Sequence, residues 1–184
     1  SMQDDVTDAT RWAIEQGVAD KNRICIYGAS YGAYAAMMGA VGEPGLYQCA
    51  AGYVGIYDLP LMYARGDIQS DELGLAYLRN WLGSPKDLAE RSPVNLAAQV
   101  RVPVFLAAGG QDQRAPIVHS ERMEAALKKA GSPVETLFVK NEGHGFYSPA
   151  NQRTYYSRLL AFLSRSLGGQ VAAQATPAEK SSAP

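Results

Sequence analysis

The chain has 184 residues, 47% of them hydrophobic and 19% charged, with a formal net charge of −1 and a pI of about 6.1. That length suits one domain, and that composition allows a packed core. Near-neutral charge without a Lys/Arg cluster excludes a nucleic-acid footprint, and no apolar run is long enough to cross a bilayer, so neither nucleic acid nor membrane is an expected partner.

Ser1-Met2 reads as a tag-cleavage remnant before an introduced start, so the natural N-terminus is expected elsewhere. Residues 1–20 read as a polar amphipathic helix, not a signal peptide, and the compartment stays open between cytoplasm and periplasm. Cys25 and Cys49 each lie in or beside an apolar stretch and read as two buried thiols; a disulfide is not expected at this count and size. Of the two histidines, neither has ligand spacing to a cysteine, so no metal or other cofactor is expected.

In chain order, Asp4 to Gly17 places Val6, Ala9, Ala13 and Gly17 on one helical face. After the turn Asp20-Lys21-Asn22 comes Ile24 to Tyr27, almost wholly apolar, as in a strand covered on both sides. Tyr31 to Val41 is an Ala/Gly-rich helix closed by Gly42-Glu43-Pro44-Gly45, and Cys49 to Gly55 a second buried strand. Residues 57–99 mix polar and aromatic side chains in short helical patterns and read as a helical excursion. Val102 to Ala108 is a third strand. Pro116 opens a helix that Gly131 closes, and Val134 to Val139 is a fourth strand. Gln152 to Leu167 carries the apolar stripe Tyr156, Leu159, Leu160, Leu163, Leu167. Residues 170–184, rich in Ala, Ser, Pro and Gln, have little to bury and are expected to be disordered. Strands alternating with helices predict an α/β fold, a mostly parallel sheet of about four strands with helices on both faces, within residues 1–169.

Gly28-Ala29-Ser30-Tyr31-Gly32 matches G-x-S-x-G at a strand-to-helix turn. Small flanking residues let the backbone bend and lift the hydroxyl above the sheet. The helix N-terminus behind it offers free N–H groups and a positive dipole end to a developing oxyanion. A glycine-rich turn that binds phosphate is the competing reading. A serine needs a base, and the acid and histidine follow in the order Ser, Asp/Glu, His. His144, in Glu142-Gly143-His144-Gly145-Phe146 after the fourth strand, is the candidate base; His119, inside a helix, reads as a packing or surface residue. Asp112, directly after the third strand, is the candidate acid. Its rival Asp58 follows the second strand and reads as a helix cap. Ser30, Asp112 and His144 then meet at the C-terminal ends of three strands, where open α/β sheets bind ligands.

With these motifs the chain resembles the α/β-hydrolase catalytic domain of the prolyl oligopeptidase family of serine peptidases, over roughly residues 4–168. The resemblance rests on Asp20 to Ile24 leading into Gly28 to Gly32, on Gly109 to Pro116, and on Glu142 to Phe146. It implies Ser30 as nucleophile, Asp112 as orienting acid, His144 as general base and the Tyr31 backbone N–H as an oxyanion donor. It implies that Arg114 binds a substrate backbone carbonyl. Val54, Ile56, Tyr57 and Ala115 match positions near the pocket for the residue before the cut bond, and Tyr77 and Trp81 are candidate aromatic walls. The expected substrate is a short peptide.

Ala33 stands where many members carry another glycine. The strands that normally precede the first helix, with a tyrosine hydroxyl as second oxyanion donor, and the gating β-propeller are not in this sequence, which reads as the C-terminal part of a catalytic domain. Two alternatives stay open: a carboxylesterase, and an inert fragment that serves only folding or assembly. The first strand is expected at an apolar sheet edge, through which the chain could self-associate.

Overall fold

A computed structural model describes residues 2–169; the tail expected to be disordered lies outside the described residues. Helix α1 spans Met2–Glu15, strand β1 Cys25–Ala29, helix α2 Tyr31–Gly42 and strand β2 Cys49–Tyr53. The excursion follows, with helices α3 (Glu72–Leu82) and α4 (Pro93–Leu96) set among short 3-10 turns. Strand β3 (Val104–Gly109), helix α5 (Val118–Lys129), strand β4 (Val134–Val139) and helix α6 (Pro149–Leu167) complete the order.

The sheet is wholly parallel and its order, β1-β2-β3-β4, is the chain order. β1 therefore forms one edge, the edge on which the sequence places self-association. β2 ends two residues short of Gly55 because Val54 turns to φ 45°, a conformation no strand continues through.

Every residue of β3 is buried, and its side chains alternate between two cores. Val104 and Leu106 join Ala33, Met37, Met123 and Leu127 on the α2/α5 side. Phe105 and Ala107 join Phe146, Tyr155, Leu159 and Phe162 under α6. Small side chains on α2, with Ala33 and Ala36 fully buried, let that helix lie close to the sheet.

Three sequence expectations change. On α6 the inward face is Tyr155, Leu159 and Phe162, while Tyr156 and Leu160 are exposed. On α1 the buried residue is Thr7; Val6, Ala9 and Ala13 instead line a shallow groove with Ile24. Cys25 and Cys49 are not separate thiols. They stand directly opposite in the β1–β2 register with Cα atoms 4.6 Å apart, and their sulfurs are bonded. Spacing along one strand says nothing about which residue of the next strand it will face.

Candidate active site

Ser30 joins β1 to α2 at φ 56°, ψ −120°, a backbone conformation that costs free energy for any residue with a Cβ. Backbone bonds hold it there: Ser30 N–H donates to the Tyr53 carbonyl at 2.9 Å, and the Ser30 carbonyl accepts from Ala33 N–H at 3.1 Å. The two glycines of the motif differ. A Cβ on Gly28 would land on the Gly32 carbonyl, whereas a Cβ on Gly32 would meet nothing within 4 Å. Tyr31 opens α2, so its N–H belongs to the first helical turn, whose donors have no intrahelical acceptor.

Asp112 follows β3 and its side chain is fully buried. Its Oδ1 accepts from the backbone N–H groups of Arg114 and Ala115, both at 2.9 Å. Its Oδ2 lies 2.8 Å from His144 Nδ1. An ionised carboxylate only accepts, so this contact places the neutral imidazole's proton on Nδ1 and leaves Nε2 as an acceptor. His144 Nε2 lies 3.0 Å from Ser30 Oγ.

The loop carrying His144 is tied down on both sides. The Glu142 carboxylate accepts from Asn151 Nδ2 at 2.6 Å, Tyr147 N–H at 2.8 Å and Ser148 N–H at 3.0 Å. Those bonds, led by Asn151, hold its carboxyl below the usual glutamate range. The Tyr53 hydroxyl accepts from Phe146 N–H. Gly109 runs so close beneath the carbonyls of Glu142 and Gly143 that a side chain there would collide with them. The acid and base loops are thus packed backbone against backbone.

Ser30 and His144 open into a cavity of about 940 Å³. Its walls are largely aromatic and aliphatic, with Tyr31, Tyr34, Tyr77, Trp81 and Tyr147 among them. The family model for the prolyl oligopeptidase family matches residues 1–170. This chain belongs to that family. It is 30% identical over 175 residues to dipeptidyl aminopeptidase BIII of Pseudoxanthomonas mexicana, covering 92% of this chain and 25% of that protein. It is 28% identical to dipeptidyl peptidase family member 6 of Caenorhabditis elegans, covering 92% and 24%. Among solved structures, a puromycin-hydrolyzing peptidase of Mycobacterium tuberculosis superimposes with a TM-score of 0.79 at 27% identity, covering 88% of this chain and 24% of that one. The chain spans about a quarter of the length of these relatives.

In this member of the prolyl oligopeptidase family the expected pocket residues divide. Ile56 and Arg114 line the cavity. Val54, Tyr57 and Ala115 are buried and do not line it. Tyr57 is wholly enclosed, its hydroxyl pressed against Gly52 and Gly55, so it packs beneath the serine turn and presents no surface to a substrate. Arg114 Nε reaches both carboxylate oxygens of Asp67, at 2.8 and 3.0 Å. Tyr77 and Trp81 do form part of the wall. Sequence reasoning missed Tyr34 and Tyr147. Helical spacing could have found Tyr34, one turn beyond Ser30 on the same face of α2.

Asp58 and His119 form a separate structural cluster. Asp58 makes no cap bond; it ion-pairs with Arg122. His119 is fully buried, and its Nδ1 accepts from the backbone N–H groups of Tyr57 and Asp58, both at 3.3 Å. Burial pushes its pKa down to about 4. An unfolded histidine titrates near 6.5. Between these values the unfolded chain binds the extra proton, so this contribution to stability is full above about pH 6.5 and is lost as pH falls toward 4. Unfolding free energy is expected to drop by about 3 kcal/mol across that window relative to His119→Asn, which keeps an acceptor but does not titrate. Chemical denaturation at pH 7 and pH 4 checks it; parallel pH profiles for the two proteins would refute it.

Proposed function

We propose that this chain is the catalytic part of a serine peptidase that hydrolyses peptide bonds in short peptides through an acyl-enzyme. The observation that carries the reading is the continuous line Asp112 Oδ2–His144 Nδ1–His144 Nε2–Ser30 Oγ, with links of 2.8 and 3.0 Å. As Ser30 Oγ attacks the carbonyl carbon, its proton passes to His144 Nε2, and the buried Asp112 carboxylate stabilises the imidazolium. The oxyanion forms against the Tyr31 N–H at the start of α2. His144 then gives its proton to the leaving amine as the C–N bond breaks, and the acyl group stays on Ser30. Water enters, loses a proton to His144, and releases the acid as Ser30 Oγ is reprotonated. Arg114 faces the same cavity, and Asp67 engages only its Nε, so its terminal nitrogens remain to take a backbone carbonyl of the peptide.

Labelling with a fluorophosphonate, read by intact mass, tests this directly, because such a probe needs an activated serine and little substrate recognition. One adduct is expected, absent in Ser30→Ala. A folded sample that takes no adduct would instead support the inert-fragment reading.

A further inference from the structure

The cavity beside Ser30 has an unbalanced charge. Apart from His144, its charged lining residues are Asp67, Arg91 and Arg114. Asp67 and Arg114 neutralise each other through the pair already described. Arg91 has no ion-pair partner among the described residues. One of its nitrogens, Nη2, donates to the Leu82 carbonyl at 2.7 Å, which fixes the guanidinium at the C-terminal end of α3. An arginine has five N–H donors, so most of them remain.

Arg91 stands near the serine along a traceable path. Tyr34 lies four residues beyond Ser30 on α2, about 6 Å along the helix axis. Its ring centre is 5.7 Å from that of Tyr31. Tyr34 and Arg91 both line the cavity that opens at Ser30. An extended peptide advances about 3.4 Å per residue. Ser30 and Arg91 share one cavity of about 940 Å³, so a peptide held at Ser30 extends toward Arg91 within a few residues.

We infer that Arg91 is a specificity-determining residue, and that the cavity selects peptides carrying a carboxylate close to the cut bond. This rests on the peptidase reading for the position of the cut bond, but the binding itself needs no chemistry.

Trp81 lines the cavity and supplies the signal, with Trp12→Phe removing the only other tryptophan. Three matched pairs locate the carboxylate: acetyl-Glu-Leu-amide against acetyl-Gln-Leu-amide, acetyl-Leu-Glu-amide against acetyl-Leu-Gln-amide, and acetyl-Leu-Leu as free acid against its amide. At least one acidic member should bind about tenfold more tightly than its neutral partner. Arg91→Gln should bring that ratio to about one, and Arg91→Lys should retain part of it. Equal affinity within every pair, a preference that survives Arg91→Gln, or no binding by any peptide would overturn the inference. Fluorophosphonate labelling keeps the two readings apart. Labelling without a carboxylate preference removes only this inference, and a carboxylate preference without labelling removes only the hydrolase.

Discussion

Asp112→Asn is expected to slow fluorophosphonate labelling of Ser30 by about 10⁴-fold while leaving the fold intact. The two carboxylate oxygens have different tasks. Oδ1 accepts from two backbone donors, Arg114 N–H and Ala115 N–H, and Oδ2 faces His144 Nδ1. An asparagine that keeps its oxygen on the backbone donors points its NH₂ at Nδ1. The imidazole must then accept there and carry its proton on Nε2, the nitrogen that faces Ser30 Oγ. A protonated Nε2 cannot take the serine proton. Turning the amide over sets NH₂ against two N–H donors in a buried site, which leaves all three unsatisfied. That second orientation would keep the proton on Nδ1, but its unsatisfied buried donors make it the costlier one, so the first prevails and the base is disabled; neither orientation removes apolar packing. The observed labelling rate, with circular dichroism on the same sample, gives the answer. A variant that labels within tenfold of wild type would mean that Asp112 is not the orienting acid.

Gly28→Ala should destabilise the chain by about 3 kcal/mol and abolish labelling, whereas Gly32→Ala should change stability by less than about 1 kcal/mol. Both glycines belong to one motif, so a view of it as a general need for small residues expects similar effects. The structure separates them, because a methyl on Gly28 falls on the Gly32 carbonyl while a methyl on Gly32 meets open space. To admit the first, α2 must move away from β1, and Ser30 moves with it. Urea denaturation of both variants decides the matter; equal losses would show that the turn can relax around either side chain.

The elements and the three loops that meet at the site were legible in the sequence because their signals are local. Val134–Val139 emerges with the limits its apolar run implies, and Ser30, Asp112 and His144 each lie in the segment that follows a strand. What was not legible depends on pairing across the fold. Tyr155 and Tyr156 are adjacent aromatic residues, and apolar periodicity alone cannot decide which of them faces the sheet. The Cys25–Cys49 bond follows from register, which neither segment specifies by itself. Val54, Tyr57 and Ala115 lie beside the cavity in sequence terms, yet backbone turns direct them into the core. His119 carries no sequence sign that two backbone N–H groups from a segment some sixty residues away will converge on its ring.

That the sheet order repeats the chain order has a consequence for synthesis. On the proposed triad, the serine belongs to the first strand, the acid to the third and the base to the segment after the fourth. Synthesis delivers the Ser30 hydroxyl before the acid and the base, without a proton acceptor, and such a hydroxyl is a weak nucleophile. Its reactivity is switched on only when Val134–Val139 docks as the far edge of the sheet and carries His144 over Ser30. On the proposed function, chemical competence thus waits for the last strand of the sheet, and a chain made only as far as β3 would not yet act on peptides.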